Sequence, residues 1–552
     1  GDGDNKFVVL SCPWCGIDMG PQPYRGRVQV FGYERSSGPA QVRFRCEDRA
    51  CPFSGSPGLP LEVVDERIYD QPPTLVVGTV DKFAMLPWEP KAKSLFAIDN
   101  PDISPPDLII QDELHLISGP LGSMVGHYET VIDELSSRGA PPDRVGPKVI
   151  ASTATIAHAS EQVRAVYSRP AVLFPPQGLR AGESFFAVER EDLPGRMYVG
   201  VLATALPSHV TAQVRVISAL LQSVALLQPP WTDDPVPTAA RDPYWTLMVY
   251  FNSLRELGRA ATLIQADIRE YLSAVWDRIG LTPLIDLYGE AGKRLRRFID
   301  RPEELTSRVR SSDIPVILQK LFSRLESGEA IDLCLATNMI QVGLDVPRLS
   351  LMTIIGQPKT ASEYIQASSR VGRGRDTPGL VVTNYNPFKP RDRSHFETFR
   401  QYHASIYRHV EPTSVTPFSI PVSERAIHAL AVTIARYSFA HLRDSPALGL
   451  SDEEVEHIAR VVLDRVRAVS PGEETSANLT LRRFLADWNR ARPQYYGSFS
   501  QTIPGDVEPL LWPAGKPMDR TWTLARSTPS SMRNVDAECE ARPVRAYAEP
   551  EA

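Results

Sequence analysis

The sequence predicts an α/β protein with two parallel-sheet blocks, a small cysteine-rich module before them and a helical region after them. Three observations predict it. Short, near-continuous apolar runs such as "TLVVGTV", "DLIIQDE" and "KVIASTAT" read as strands buried on both faces of a parallel sheet. Stretches with helical apolar spacing, notably "GSMVGHYETVIDELSSRG", lie between them, and strands alternating with helices make α/β units. The same texture resumes after a proline-rich stretch, where "WTLMVYFNS", "IDLCLATN", "LSLMTIIG" and "GLVVTNYN" are strand candidates.

The 552 residues exceed what one core holds, since single cores stop growing near ~250–300 residues. Residues 1–60 are rich in Cys, Gly and Pro, with short alternating runs ("RVQVFGYE", "QVRFRC") that suggest small strands. Residues 61–228 form the first α/β block, and 229–242, within "QPPWTDDPVPTAARDP", read as a linker or insertion. Residues 243–391 form the second block. From 392 to 552 helical pattern dominates, as in "SERAIHALAVTIARYSF" and "SDEEVEHIARVVLDRVRAV", before an irregular tail.

Apolar residues make up 42% and charged residues 23%, an ordinary globular composition. A net charge of −6 argues weakly against a nucleic-acid binder, because a large acidic protein can still hold a basic cleft. No stretch approaches ~18 uninterrupted apolar residues, so no membrane span is expected. The opening "GDGDNKFVVLSCPWCG" has neither an initiator Met nor a signal-type apolar segment. The expectation is a cytoplasmic protein, and a chain that is part of something longer.

Four of the six cysteines fall within the first 51 residues: Cys12 and Cys15 in "CPWCG", Cys46 and Cys51 in "CEDRAC". Tight turns present thiolate pairs at such spacings, and zinc takes four ligands in a tetrahedron. The plainer alternative is two unrelated pairs of buried thiols. Four filled positions leave no open site, so the zinc is expected to be structural.

"PPDLIIQDELHLISG" ends an apolar run in adjacent carboxylates, Asp112 and Glu113. At the C-terminal end of a parallel strand they would face the crevice where ligands bind. One carboxylate can hold Mg²⁺ through its water shell while the other orients an attacking water. Alone the pair is a weak signal, because many strands end in solvated acids. The order of the motifs further along the chain strengthens it. "ASTAT" offers Ser152, Thr153 and Thr155 at the next strand end, and "ATNMIQVGLDVPRL" lies in the second block. Then "EYIQASSRVGRG" carries Gln366, Arg370 and Arg373 from a helix into a Gly-rich turn. Arginines at that spacing can neutralise charge on a transferred phosphoryl group, although a basic surface loop would look the same.

"DELH", "STAT", "ATNMIQVGLDVP" and "QASSRVGRG", in that order, resemble the motifs of superfamily 2 helicases of the DEXH kind. The resemblance spans roughly residues 74–390 and implies two RecA-like domains, the first incomplete, with ATP between them. It implies that Asp112 coordinates Mg²⁺, that Glu113 activates water, and that His115 couples the ATP site to the nucleic-acid groove. Thr153 and Thr155 would lie in the interdomain coupling motif, and Thr79 of "VGTVDKF" would touch the nucleic-acid backbone. "VYFNSLRE" would place a motif near Phe251 and Ser253. Thr337 would face nucleic acid, Gly343 and Asp345 would lie near the nucleotide, and Gln366, Arg370 and Arg373 would form the last motif, its arginines acting as fingers.

"CPWCG", "VDKFA", "QDELHLISGPLG", "ELTSRV" and "QASSRVGRG" together are similar to the DrmA helicase-subunit family of DISARM anti-phage systems. That implies a bacterial defence protein acting on DNA with a DrmB-like partner. One part of the pattern is missing. The Gly-Lys pairs of "EAGKRL" and "PAGKPM" lack the Ser or Thr of a phosphate-binding loop. The loop is expected upstream, and the chain alone is expected to hydrolyse ATP poorly or not at all. A non-catalytic binding scaffold with a helicase fold, and an RNA helicase, stay open as alternatives. His127, His158, His395, Cys334 and Cys539 are expected to be structural or without a role.

Overall fold

A computed structural model describes residues 9–532, apart from 25–26, 36–41, 101, 140–142, 154–158, 177, 181–182, 189, 191, 194, 228–235, 294, 311–312, 338–344, 375–376, 412–413 and 500–506. The chain forms two compact units. Leu173–Glu411 form one, and the described residues before 173 join those after 411 in the other.

The discontinuous unit opens with two antiparallel pairs, β1 (Gly20–Tyr24) with β2 (Arg27–Phe31) and β3 (Tyr33–Arg35) with β4 (Val42–Phe44). Next come β5 (Leu108–Gln111) and β6 (Lys148–Ala151), which pair in parallel as a two-stranded sheet. Burial on both faces does not hold for this pair, since Leu108, Ile110 and Ile150 are 48%, 63% and 47% exposed. "TLVVGTV" is not a strand, and Leu75, Val76 and Val77 are exposed. A parallel strand exists only by exchanging hydrogen bonds with a neighbour, and none stands beside this run among the described residues.

Its core is helical. The helix Gly119–Ser136 buries Met124, Tyr128 and Val131, and it begins directly after the carboxylate turn. It is too apolar all round for a surface helix. The helix Ile420–Ser438 covers it, with Ala426 through Tyr437 buried, and Asp452–Val469 and Glu474–Ala491 complete the cluster. Ser451 and Glu454 form a capping box on the third of these helices. Trp488 is fully buried and its indole N–H donates to Pro446 O at 3.0 Å. Arg436 donates to Pro87 O at 2.8 Å, tying the C-terminal helices to residues near 90. The helical region after 411 is therefore not a separate body but the other half of this core.

The continuous unit is a six-stranded, all-parallel sheet. Its strands are β7 (Met197–Leu202), β8 (Leu247–Phe251), β9 (Pro302–Leu305), β10 (Leu333–Ala336), β11 (Leu351–Ile355) and β12 (Leu380–Tyr385). Their order across the sheet is β7-β12-β11-β8-β10-β9. β8, β10 and β11 are buried throughout, as their near-continuous apolar runs require. The expected first block, 61–228, ends earlier than the sequence suggested. β7 pairs with β12, and the helix His209–Ala225 sinks Ile217 and Leu221 into this unit's core. Among the described residues no helix is long and apolar enough to cross a membrane.

Candidate active site

The carboxylate turn is built by the ladder running past the ends of β5 and β6. Ser152 N–H donates to Gln111 O at 2.9 Å, and Leu114 N–H donates to Ser152 O at 2.9 Å. Between these bonds the chain must turn sharply, and Glu113 takes the left-handed conformation at φ 51° and ψ 47°. That conformation is uncommon for a non-glycine residue, and such positions cluster at functional sites. Asp112 Oδ1 accepts the Glu113 N–H at 2.9 Å and also the Ser152 hydroxyl. Among the described residues no hydrogen bond reaches its other oxygen, and the side chain is exposed. Glu113 Oε2 lies 3.3 Å from His115 Nδ1. Gln162, buried on the helix Ala159–Tyr167, holds the turn from beneath by donating to Leu114 O at 3.1 Å and Ile117 O at 2.6 Å. Sequence reasoning missed Gln162, whose only signal was an amide on the apolar face of a helix.

Asp112, Glu113, His115 and Ser152 are therefore together. Thr153 follows Ser152 and is exposed, while Thr155 lies outside the described residues. Thr79 is exposed and precedes the 3₁₀ turn Val80–Met85, where Asp81 Oδ1 accepts both the Ser531 hydroxyl and the Met532 N–H at 2.9 Å.

In the sheet unit, Thr360 and Glu363 cap the helix Ala361–Ser368 reciprocally. Gln366 on that helix is buried and donates to Ser362 Oγ at 3.2 Å. Arg370 leaves the helix, and Gly372 turns the chain at φ 66°, its N–H donating to Leu349 O at 2.7 Å. A Cβ there would lie 2.4 Å from Gly379 N, so only glycine fits. Arg373 follows and pairs with Asp345 at 2.8 Å. Thr337 directly follows β10 and is buried, and Gly343 lies outside the described residues. Phe251 ends β8 buried, and Ser253 caps the helix Leu254–Leu263 by accepting the Glu256 N–H at 3.3 Å.

The four N-terminal cysteines converge, all Sγ atoms lying within 4.8 Å of one another. Four sulfurs about 2.3 Å from one ion in a tetrahedron sit about 3.8 Å apart, so the cluster could hold a metal ion with little movement. The turns that present the sulfurs are closed by Gly16 N–H donating to Cys12 O at 2.8 Å and Cys51 N–H donating to Asp48 O at 3.0 Å. Cys334, buried in β10, is a core residue whose thiol burial pushes up to about 12. His158 and Cys539 lie outside the described residues.

A family model of the helicase conserved C-terminal domain matches residues 307–375. The DISARM protein DrmA of Bacillus paralicheniformis is 40% identical over 515 residues, covering 87% of this chain and 44% of that protein. The chain is similar to DrmA over most of its own length. It spans less than half the length of the relative it matches. Solved structures that match part of the chain include the DUF1998 helicase MrfA bound to DNA and AMPPNP, at 16% identity and TM-score 0.43, covering 67% of this chain and 42% of that one. Another is Mycobacterium smegmatis helicase Lhr bound to ssDNA and AMP-PNP, at 16% identity and TM-score 0.46, covering 76% of this chain and 43% of that one.

Proposed function

We propose that this chain is the part of an ATP-dependent DNA helicase or translocase that carries the hydrolytic carboxylates, working in the cytoplasm in anti-phage defence beside a DrmB-like subunit. The Asp112–Ser152 contact beside Glu113 and His115, in a chain 40% identical to DrmA, carries the reading. Mg²⁺ and ATP fit the donor set, because Asp112 keeps one exposed oxygen and Ser152 fixes its rotamer. When bound, ATP supplies the phosphoryl group and Mg²⁺ screens its charge. Glu113, aimed by its left-handed backbone and steadied by His115, orients the attacking water. Arg370 and Arg373 offset charge on the phosphoryl oxygens. Thr79, Thr153, Thr155 and Thr337 serve the nucleic-acid backbone, and Gly343, Asp345 and Gln366 serve the nucleotide. Zinc in the Cys12, Cys15, Cys46 and Cys51 cluster staples a module with few buried side chains of its own.

The phosphate cradle belongs, in this reading, to sequence preceding this chain. The exposed apolar face of β5 and β6 supports that, as a sheet wanting further strands. Neither Gly-Lys pair substitutes for the cradle. Lys293 ends the helix Leu281–Lys293 and pairs with Glu290 at 2.6 Å, and Lys516 Nζ donates to Phe499 O at 3.1 Å. The test is DNA-stimulated ATP hydrolysis by this chain and by one extended upstream through the first Gly-Lys-Ser/Thr. Turnover by the extended protein alone, abolished by Glu113→Gln, is the expected result. An extended protein that binds DNA but never turns over would replace this reading with a scaffold.

A further inference from the structure

Building on the role given above to Thr79, we propose that Asp81 is the positioning residue for that nucleic-acid contact. Residues 529–532, remote in the sequence, are the support through which Asp81 holds Thr79 in place.

Thr79 stands between two unlike stretches. The run before it, residues 74–78, is exposed and forms neither strand nor helix, so it gives Thr79 no frame. The turn after it, Val80–Met85, buries Ala84, and Leu86 and Trp88 just beyond are 3% and 8% exposed. Thr79 O accepts the Lys82 N–H at 3.0 Å, so Thr79 moves with this turn. Its hydroxyl does not cap the turn and stays available to a phosphate oxygen.

What fixes the turn comes from 450 positions away, where Asp81 Oδ1 accepts the Ser531 hydroxyl and the Met532 N–H, both at 2.9 Å. Two donors from consecutive residues on one carboxylate oxygen lock that side chain to their backbone, and hydrogen bonds to a charged group are the stronger kind. Trp88 repeats the link, its indole N–H donating to Pro529 O at 3.2 Å. Met532 is 1% exposed and shares a core with Ala84 and Trp88. The turn's other charge faces a different element, since Lys82 pairs with Asp65 of the helix Asp65–Asp70 at 2.5 Å. Asp81 and Lys82 are thus both held by the protein, while the hydroxyl of Thr79 has no partner among the described residues. A contact group works only when held within about 0.5 Å of its productive place. Here the holding falls to the carboxylate two residues further on, and through it to residues 529–532.

The experiment titrates fluorescently labelled single-stranded DNA with the upstream-extended protein and reads both the Kd and the fraction of protein that binds at saturation. Thr79→Ala should raise the Kd about tenfold, the loss of one hydrogen bond to a charged group. Asp81→Ala should raise it by a similar factor with the binding fraction unchanged. The double variant should be no weaker than either single one, because both act through one contact. Asp81→Asn keeps an acceptor oxygen for Ser531 and Met532 and should restore most of the affinity. Ser531→Ala, which removes one donor and leaves the buried core intact, should raise the Kd about threefold and gives the same reading if Asp81→Ala does not fold. A merely structural role would lower the binding fraction and the melting temperature and leave the Kd of the folded protein alone. That outcome, or losses from Thr79→Ala and Asp81→Ala that simply multiply, would overturn the proposal. Thr79→Ala with full affinity would overturn the role of Thr79 and this proposal together. A weakened Thr79→Ala beside an unaffected Asp81→Ala would overturn this proposal alone.

Discussion

Arg373 reaches back 28 residues to Asp345 with an N–O distance of 2.8 Å, so the second arginine of the proposed finger pair is held by a carboxylate from the preceding motif. Both side chains are exposed, at 36% and 68%, and such pairs contribute under about 1 kcal/mol. Asp345→Ala should therefore leave the melting temperature nearly unchanged. Arg373→Ala should also fold normally, yet lower turnover of the upstream-extended protein on the order of a thousandfold. An Arg373→Ala enzyme with full turnover would remove Arg373 from the mechanism.

Gly372 sits one residue before that arginine, at φ 66° and against Gly379. Gly372→Ala should cost at least about 2 kcal/mol, combining left-handed strain with a backbone clash. Urea unfolding of the variant checks this, and a midpoint like the parent's would mean the turn can relax.

Asp112 shares one oxygen between the Glu113 amide and the Ser152 hydroxyl. Ser152→Ala frees the carboxylate to rotate, so Mg²⁺-dependent turnover should fall about tenfold, near the ~1.4 kcal/mol that a charge-assisted hydrogen bond represents. Ser152→Thr should restore it.

Metal content of the purified chain should be one zinc, with loss on chelation and in Cys46→Ser. Because Cys12, Cys46 and Cys51 make up half the buried residues of that module's core, chelation should expose its fluorescence and protease sites while the sheet unit keeps its own melting transition.

Stability should depend on pH through the buried helical core. Burial raises Glu129 from 4.5 to about 7, which Arg465 and Arg169 offset only partly and Asp133 reinforces. Its folded value lies above its unfolded one, so the stability it allows is present below about 4.5 and is lost as pH rises towards 7. Glu129→Gln should therefore stabilise the chain above pH 7 by up to roughly 3 kcal/mol and do little at pH 4.5. His127 runs the other way. Burial lowers it to about 4, outweighing the bond to Pro417 O, so stability is lost as pH falls from 6.5 to 4. His127→Gln should flatten that acid limb; melting temperatures from pH 4 to 8 report both.

Part of the candidate site's geometry was legible. The carboxylate pair, the arginines and the cysteine spacing each carry chemistry in residue type and distance along the chain, and β8, β10, β11 and β12 announced themselves as largely apolar runs. Gln162 was not legible, because its role depends on which carbonyls a neighbouring turn leaves facing it. Nor was the strand at Met197–Leu202, whose run resembles many others until β12 lies beside it.

By itself, the sequence determined the elements whose signal is local: the α/β alternation, the strand-end carboxylates, the Gly-rich turn of "SRVGRG", and the four thiols. Tertiary structure alone decided membership. It placed β7 in the six-stranded sheet, denied "TLVVGTV" a strand, and merged the helices after Pro412 with Gly119–Ser136 into one core. The reason is that a strand is defined by its neighbour's hydrogen bonds and a buried helix by whatever covers its second face. Neither partner is written near it in the chain.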